Sequence, residues 1–242
     1  MSVLSLTGVC LSFPRGRHVI RVLADVSLEL DAGETVAVLA QRAQGKTSLL
    51  RIAAGIERPG RGCVRFAGED IWDFSERRRS RLLGGQIGWV GPAAPDLDVP
   101  MLADVALPLF ATCGKRESYA RARAALQRVG AGECAEQSWG SLADWERALV
   151  AVAKGIARAP RLLLVDDITL SLGLAEADEI TRLLDALAVE QGFAVLMSVS
   201  DAAATSWSRR VATLAGGELL ETVRPPARLG NVIDFPCSSS AS

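Results

Sequence analysis

Gly45-Lys46-Thr47 has the residue types needed to hold a phosphate. Backbone N–H groups at a helix start attract an anion, and the positive end of the helix dipole adds to that attraction. A lysine there reaches the outer phosphate oxygens, and the hydroxyl after it is placed to ligate Mg2+. The preceding loop reads Ala40-Gln41-Arg42-Ala43-Gln44. A glycine-rich loop of this kind wants glycine where Ala40 stands. A left-handed alanine at that position costs about 1–2 kcal/mol.

Such a triplet works only if a strand feeds it and a helix leaves it. Thr35 to Leu39 is a short, β-branched, apolar run and reads as a buried strand. After Lys46, the residues Leu49, Leu50, Ile52 and Ala53 repeat with helical spacing, and Gly55 ends the run. Upstream, residues 3 to 13 and 20 to 30 read as strands, and Asp31-Ala32-Gly33-Glu34 as a turn. Cys63 to Phe66 and Gln86 to Val90 read as further strands. The Gly and Pro cluster from Gly91 to Pro100 interrupts regular structure. A helical, alanine-rich stretch is expected from about Met101 to Arg158. Arg161 to Asp166 is a buried strand ending in an acid. A helix over 175–190 and a strand over 193–199 follow. This strand–helix alternation predicts an α/β fold with a mostly parallel sheet. The segment from Arg224, with Pro225-Pro226 and a serine-rich end, is expected to be a mobile tail.

The composition narrows the functions that fit. The net charge is −1, with 27 Lys and Arg against 28 Asp and Glu. That balance gives no field to recruit nucleic acid or anionic lipid. No apolar run is long enough to span a membrane. Met1-Ser2-Val3 runs directly into strand-like sequence, so no secretory leader is expected. The five cysteines are spread without a CxxC pair, and His18 is the one histidine. Zinc and disulfide frameworks are therefore not expected.

From about Leu6 to Leu220 the chain resembles the ATP-binding subunit of an ABC transporter. The matching frame is Val22 to Leu28, then Gly33-Glu34, then Gly45 to Gly55, then Pro59-Gly60 and Gly62. Asp104-Val105-Ala106-Leu107-Pro108-Leu109 resembles the branch that serves lipoprotein release, macrolide efflux and cell division. The resemblance implies a P-loop NTPase fold with an N-terminal antiparallel β region. Its core would be residues 1–90 and 159–223, with a helical subdomain inserted at 91–158. It implies ATP and Mg2+ as ligands, a membrane permease and a second ATP-binding subunit as partners, and a place on the cytoplasmic face of the membrane. It assigns Gly45, Lys46, Thr47 and Ser48 to phosphate, Thr47 and Asp166 to the metal, and Phe13 to adenine stacking. Phe13 also reads as a strand-end core residue, and Asp166 as a plain acid at a strand end.

Several positions depart from the family pattern. Asp167 replaces the glutamate that polarises water, about one methylene short. Ser200 stands where the family has histidine, Pro92 where it has glutamine, and Gly173 where it has aspartate. The signature segment reads Leu142-Ala143-Asp144-Trp145-Glu146, with no hydroxyl, an added negative charge and a large ring. Asp144 either caps its own helix or pairs with Ser141, with which it has the spacing of an S-x-x-D capping box. Phosphoryl transfer depends on positioning and charge stabilisation, so these losses compound. Besides an ordinary ATPase that tolerates these changes, two readings follow. The chain is an ABC-type subunit with impaired hydrolysis, or it is a nucleotide-independent scaffold or regulatory subunit of a membrane complex.

Overall fold

The computed structural model describes residues 2–16, 18–91, 99–202, 205, 208 and 210–223. Pro92 and the segment from Arg224 lie outside the described residues. Among those described, two sheets share the load. β1 (Ser2–Arg15) and β2 (His18–Asp31) form a long antiparallel hairpin, with Leu6 opposite Leu28 and Phe13 opposite Ile20. β4 (Arg61–Phe66) pairs antiparallel with β1, and β5 (Glu69–Asp70) with β4, giving the order β2-β1-β4-β5.

The second sheet runs β10-β9-β3-β8-β7-β6. It is built from β3 (Thr35–Leu39), β6 (Ile87–Val90), β7 (Leu162–Asp166), β8 (Ala194–Val199), β9 (Arg210–Ala215) and β10 (Glu218–Val223). Only β9 and β10 pair antiparallel; the remaining neighbours are parallel. The central strands are mostly apolar because both faces are covered, with Asp166 and Ser198 as polar exceptions near the ends of β7 and β8. Alternation sends Val36, Leu162, Leu164 and Leu196 to one core, shared with β1, β2 and α1 (Lys46–Ala53). Ala37, Leu163, Val165 and Met197 go to the other core, with the helices described next.

The stretch from Met101 to Arg158 is not one helix. It contains α3 (Met101–Ala106), α4 (Lys115–Arg128) and α5 (Asp144–Ile156), separated by three 3-10 turns. The breaks follow from Pro108, from Gly114 at the start of α4, and from Gly130, whose φ of 80° ends it. Two cross-links hold these pieces together. Lys154 Nζ donates to both oxygens of the buried Asp104 at 2.9 and 3.0 Å. Arg158 donates to the Pro108 carbonyl. α6 (Leu174–Gln191) matches the expected helix and ends at Gly192 in a left-handed cap. α2 (Glu76–Gly85), β5, β9 and β10 were not anticipated from the sequence.

Candidate functional site

The parallel strands end together at one edge of the sheet. There the loop after β3, the end of β7 and the end of β8 converge. α1 begins at Lys46, and Gly45 supplies its N-cap with φ 95°. No other residue suits position 45, because an added Cβ would lie 2.7 Å from Val22 Cγ1 and 3.1 Å from the Val22 carbonyl oxygen.

Ala40 is not the strained residue of the loop. It is buried, lies outside the positive-φ region, and donates its N–H to the Val199 carbonyl at 3.1 Å. Position 40 thus continues the parallel pairing of β3 with β8, and alanine costs nothing conformational there. The left-handed alanine is Ala43, with φ 62°. The strain expected at position 40 falls three residues later.

Lys46 is 5% exposed, and its ammonium is enclosed by oxygen. It donates to the Ala40 carbonyl at 2.8 Å and to Ser200 Oγ at 2.6 Å, and pairs with Asp167 Oδ2 at 3.1 Å. Thr47 Oγ1 donates to Asp166, 2.9 Å from Oδ2. The two adjacent carboxylates therefore diverge, one toward Thr47 and the other toward Lys46. Ser198 sets that divergence. Its Oγ donates to Asp166 Oδ1 at 2.9 Å and accepts the Asp167 N–H at 2.9 Å. Asp167 sits at φ 47°, and its Oδ1 accepts from Ser200 Oγ at 3.2 Å.

Gly45, Lys46, Thr47, Ser48 and Asp167 line a cavity of about 310 Å³, together with Val22. Phe13 does not line it. Phe13 stands exposed on β1, opposite Ile20. Ser198 was missed by sequence reasoning. The sequence offered only a lone serine in the apolar run Val195-Leu196-Met197-Ser198-Val199; its register with Asp166 is set by the strand order.

The start of α5 is capped differently from the sequence expectation. Ser141 lies in a 3-10 turn and donates to the Ser138 carbonyl at 2.9 Å, so the box with Asp144 does not form. Asp144 is the first helical residue and pairs with Arg147 at 3.0 Å. The Glu146 carboxylate accepts the Ala143 N–H at 2.8 Å, which fills that end with the chain's own anion. The Trp145 ring is half-buried against the helical core. Gly173 caps α6, and its N–H donates to Glu176 at 2.9 Å.

Among the described residues no helix is long and apolar enough to cross a membrane. The ABC transporter sequence profile matches residues 23–170. The chain is 33% identical to the lipoprotein-releasing system ATP-binding protein LolD of Chromohalobacter salexigens, over 90% of this chain and 93% of that one. It is 28% identical to the macrolide export ATP-binding/permease protein MacB of Syntrophobacter fumaroxidans, of which it covers 34%. Its fold matches a dimeric ATP-binding cassette in a post-hydrolysis state with ADP and Pi, at a TM-score of 0.82 and 24% identity over 93% of this chain and 100% of that one. The chain belongs to the ABC transporter family, as an ATP-binding domain of the LolD and MacB branch.

Proposed function

We propose that this chain binds ATP with Mg2+ as a subunit of a transporter complex and hydrolyses it slowly. The observation that carries the reading is the pairing of Lys46 and Thr47, at the start of α1, with the two carboxylates that close β7. The residues fit the ligands. The backbone at Gly45 has no room for a side chain. A buried ammonium adjoins the cavity, and Thr47 and Asp166 offer the hard oxygen donors that Mg2+ prefers. Lys46, Gly45 and Ser48 would hold the phosphates, and Thr47 and Asp166 the metal. When bound, the metal neutralises charge on the phosphates and orients them.

Slow turnover follows from the residues around that cradle. Asp167 is the carboxylate in line to polarise water, yet its oxygens are taken up by Lys46 and Ser200. Ser200 offers a hydroxyl where the family has an imidazole. At α5, Ala143 has no hydroxyl, Asp144 is negative, and the Ala143 N–H is committed to Glu146. In a head-to-tail pair of such subunits, that surface would meet the other subunit's phosphates. A homodimer would then carry two impaired sites.

The names of the relatives support a membrane permease as partner, and with it a position on the cytoplasmic face of the membrane. We read α3 to α5 as the inserted helical subdomain, with the two sheets as the core. A nucleotide-independent scaffold is the second reading, favoured by the complete internal satisfaction of Lys46. Thermal denaturation with millimolar Mg-ATP separates the two. The first reading predicts a stabilisation in the wild type that Lys46→Ala loses. Equal melting with and without nucleotide would establish the scaffold.

A further inference from the structure

We propose that Asp167 is an internal stand-in for phosphate, holding Lys46 until an incoming polyphosphate displaces it. The inference rests on the nucleotide reading above and adds a regulated step to it. An ammonium has three hydrogens to donate. Those of Lys46 have three close acceptors, the Ala40 carbonyl at 2.8 Å, Ser200 Oγ at 2.6 Å and Asp167 Oδ2 at 3.1 Å, with the Gln41 carbonyl more distant at 3.5 Å. A phosphate oxygen can gain a short bond to Lys46 only by replacing one of them. The Ala40 carbonyl is fixed, because its residue is tied into the β3–β8 pairing through the Val199 carbonyl. Asp167 is the charged acceptor, and it borders the same cavity.

The stand-in is held from three sides. Ser200 donates to its other oxygen at 3.2 Å. Ser198, buried on β8, accepts its backbone N–H at 2.9 Å. Its backbone sits at φ 47°, a conformation that persists only when its surroundings enforce it. Of the two movable acceptors, the Asp167 carboxylate is the one an incoming anion repels, so phosphate entry displaces it, and Ser200, bonded to both groups, changes partner in the same step. Lys46 is thus held by the chain's own anion rather than waiting as an open cation.

The test is equilibrium binding of inorganic tripolyphosphate in EDTA to the full chain. EDTA removes the metal contribution, and a ligand without adenine isolates the phosphate cradle. Asp167→Asn keeps the shape and suits a left-handed backbone. Asp167→Gly relieves that backbone entirely and secures a folded second variant. Both are expected to bind about tenfold tighter than wild type, since a competing charge is gone. Glu117→Gln is the control for general charge removal, because its carboxylate pairs with Arg121 on α4 and does not line the cavity. It is expected to gain less than about threefold. Binding seen only in the Asp167 variants is the extreme form of the expected result. Equal affinities for wild type and the Asp167 variants, or an equal gain in Glu117→Gln, overturn the proposal and leave nucleotide binding standing. Absence of binding in wild type and variants alike overturns the nucleotide reading, and this inference with it.

Discussion

Replacing Gly45 by alanine tests whether the loop geometry is what we describe. A Cβ at this position would sit 2.7 Å from Val22 Cγ1, 3.1 Å from the Val22 carbonyl oxygen and 3.5 Å from Leu23 Cδ2. Two costs add. An L-residue in the left-handed region costs about 1–2 kcal/mol, and the φ of 95° lies beyond the centre of that region. Forcing a methyl into a filled space costs about 1–3 kcal/mol more. Gly45→Ala is therefore expected to lose about 2–5 kcal/mol, read as a lower urea midpoint with an unchanged slope. Val22→Ala in the same chain removes the contact with Cγ1, but not the contact with the carbonyl or the backbone strain. It is expected to restore only part of the loss. If Gly45→Ala lies within about 0.5 kcal/mol of wild type, the geometry drawn for this loop is wrong.

Ala43→Gly should act in the opposite direction. It relieves the φ of 62° and, after the entropy that glycine adds to the unfolded chain, should gain about 0.5–1 kcal/mol in the same urea assay. Lys154→Met should lose about 1–3 kcal/mol. It leaves the Asp104 carboxylate, 6% exposed, without its cation, although the 38% exposure of Lys154 lets water soften the loss. The Asp104→Met, Lys154→Met double variant should recover most of that loss, measured as a double-mutant cycle. The hydrogen bond from Cys63 to Asp70, with burial as the second cause, holds the Cys63 thiol above its ordinary value. At pH 8 less thiolate is present, so alkylation of Cys63 should be slow. Asp70→Asn should speed it several-fold, followed by peptide mapping of iodoacetamide labelling.

The architecture was legible where burial dictated the pattern. The runs at Thr35–Leu39 and Leu162–Asp166 are apolar because both faces of their sheet are covered, and no other element fits such short runs. Lys46 and Thr47 could be singled out from their types between a strand and a helix, whereas Asp166 was reached only through the family resemblance, since its position reads equally as a plain acid at a strand end. β9 and β10 were not legible. They close the parallel sheet as an edge hairpin, and strands such as Glu218-Leu219-Leu220-Glu221 have no clean alternation. α2 was hidden by its polarity, since only Leu82 of its ten residues is buried. The site's inner wiring depends on contacts remote in sequence. Lys46 meets Ser200, and Asp167 meets Ser198, only through the β3–β8–β7 strand order. No spacing along the chain reveals that the two carboxylates diverge. The loop strain was misplaced for the same reason: a missing glycine shows in the sequence, but the φ that requires it does not.

The most direct test of binding with slow hydrolysis is the nucleotide recovered from the protein after incubation with Mg-ATP for several minutes. The account predicts that wild type retains mostly unhydrolysed ATP and that Lys46→Ala retains none. Recovery of mainly ADP after many turnovers would contradict slow hydrolysis. Recovery of no nucleotide from wild type would contradict binding itself.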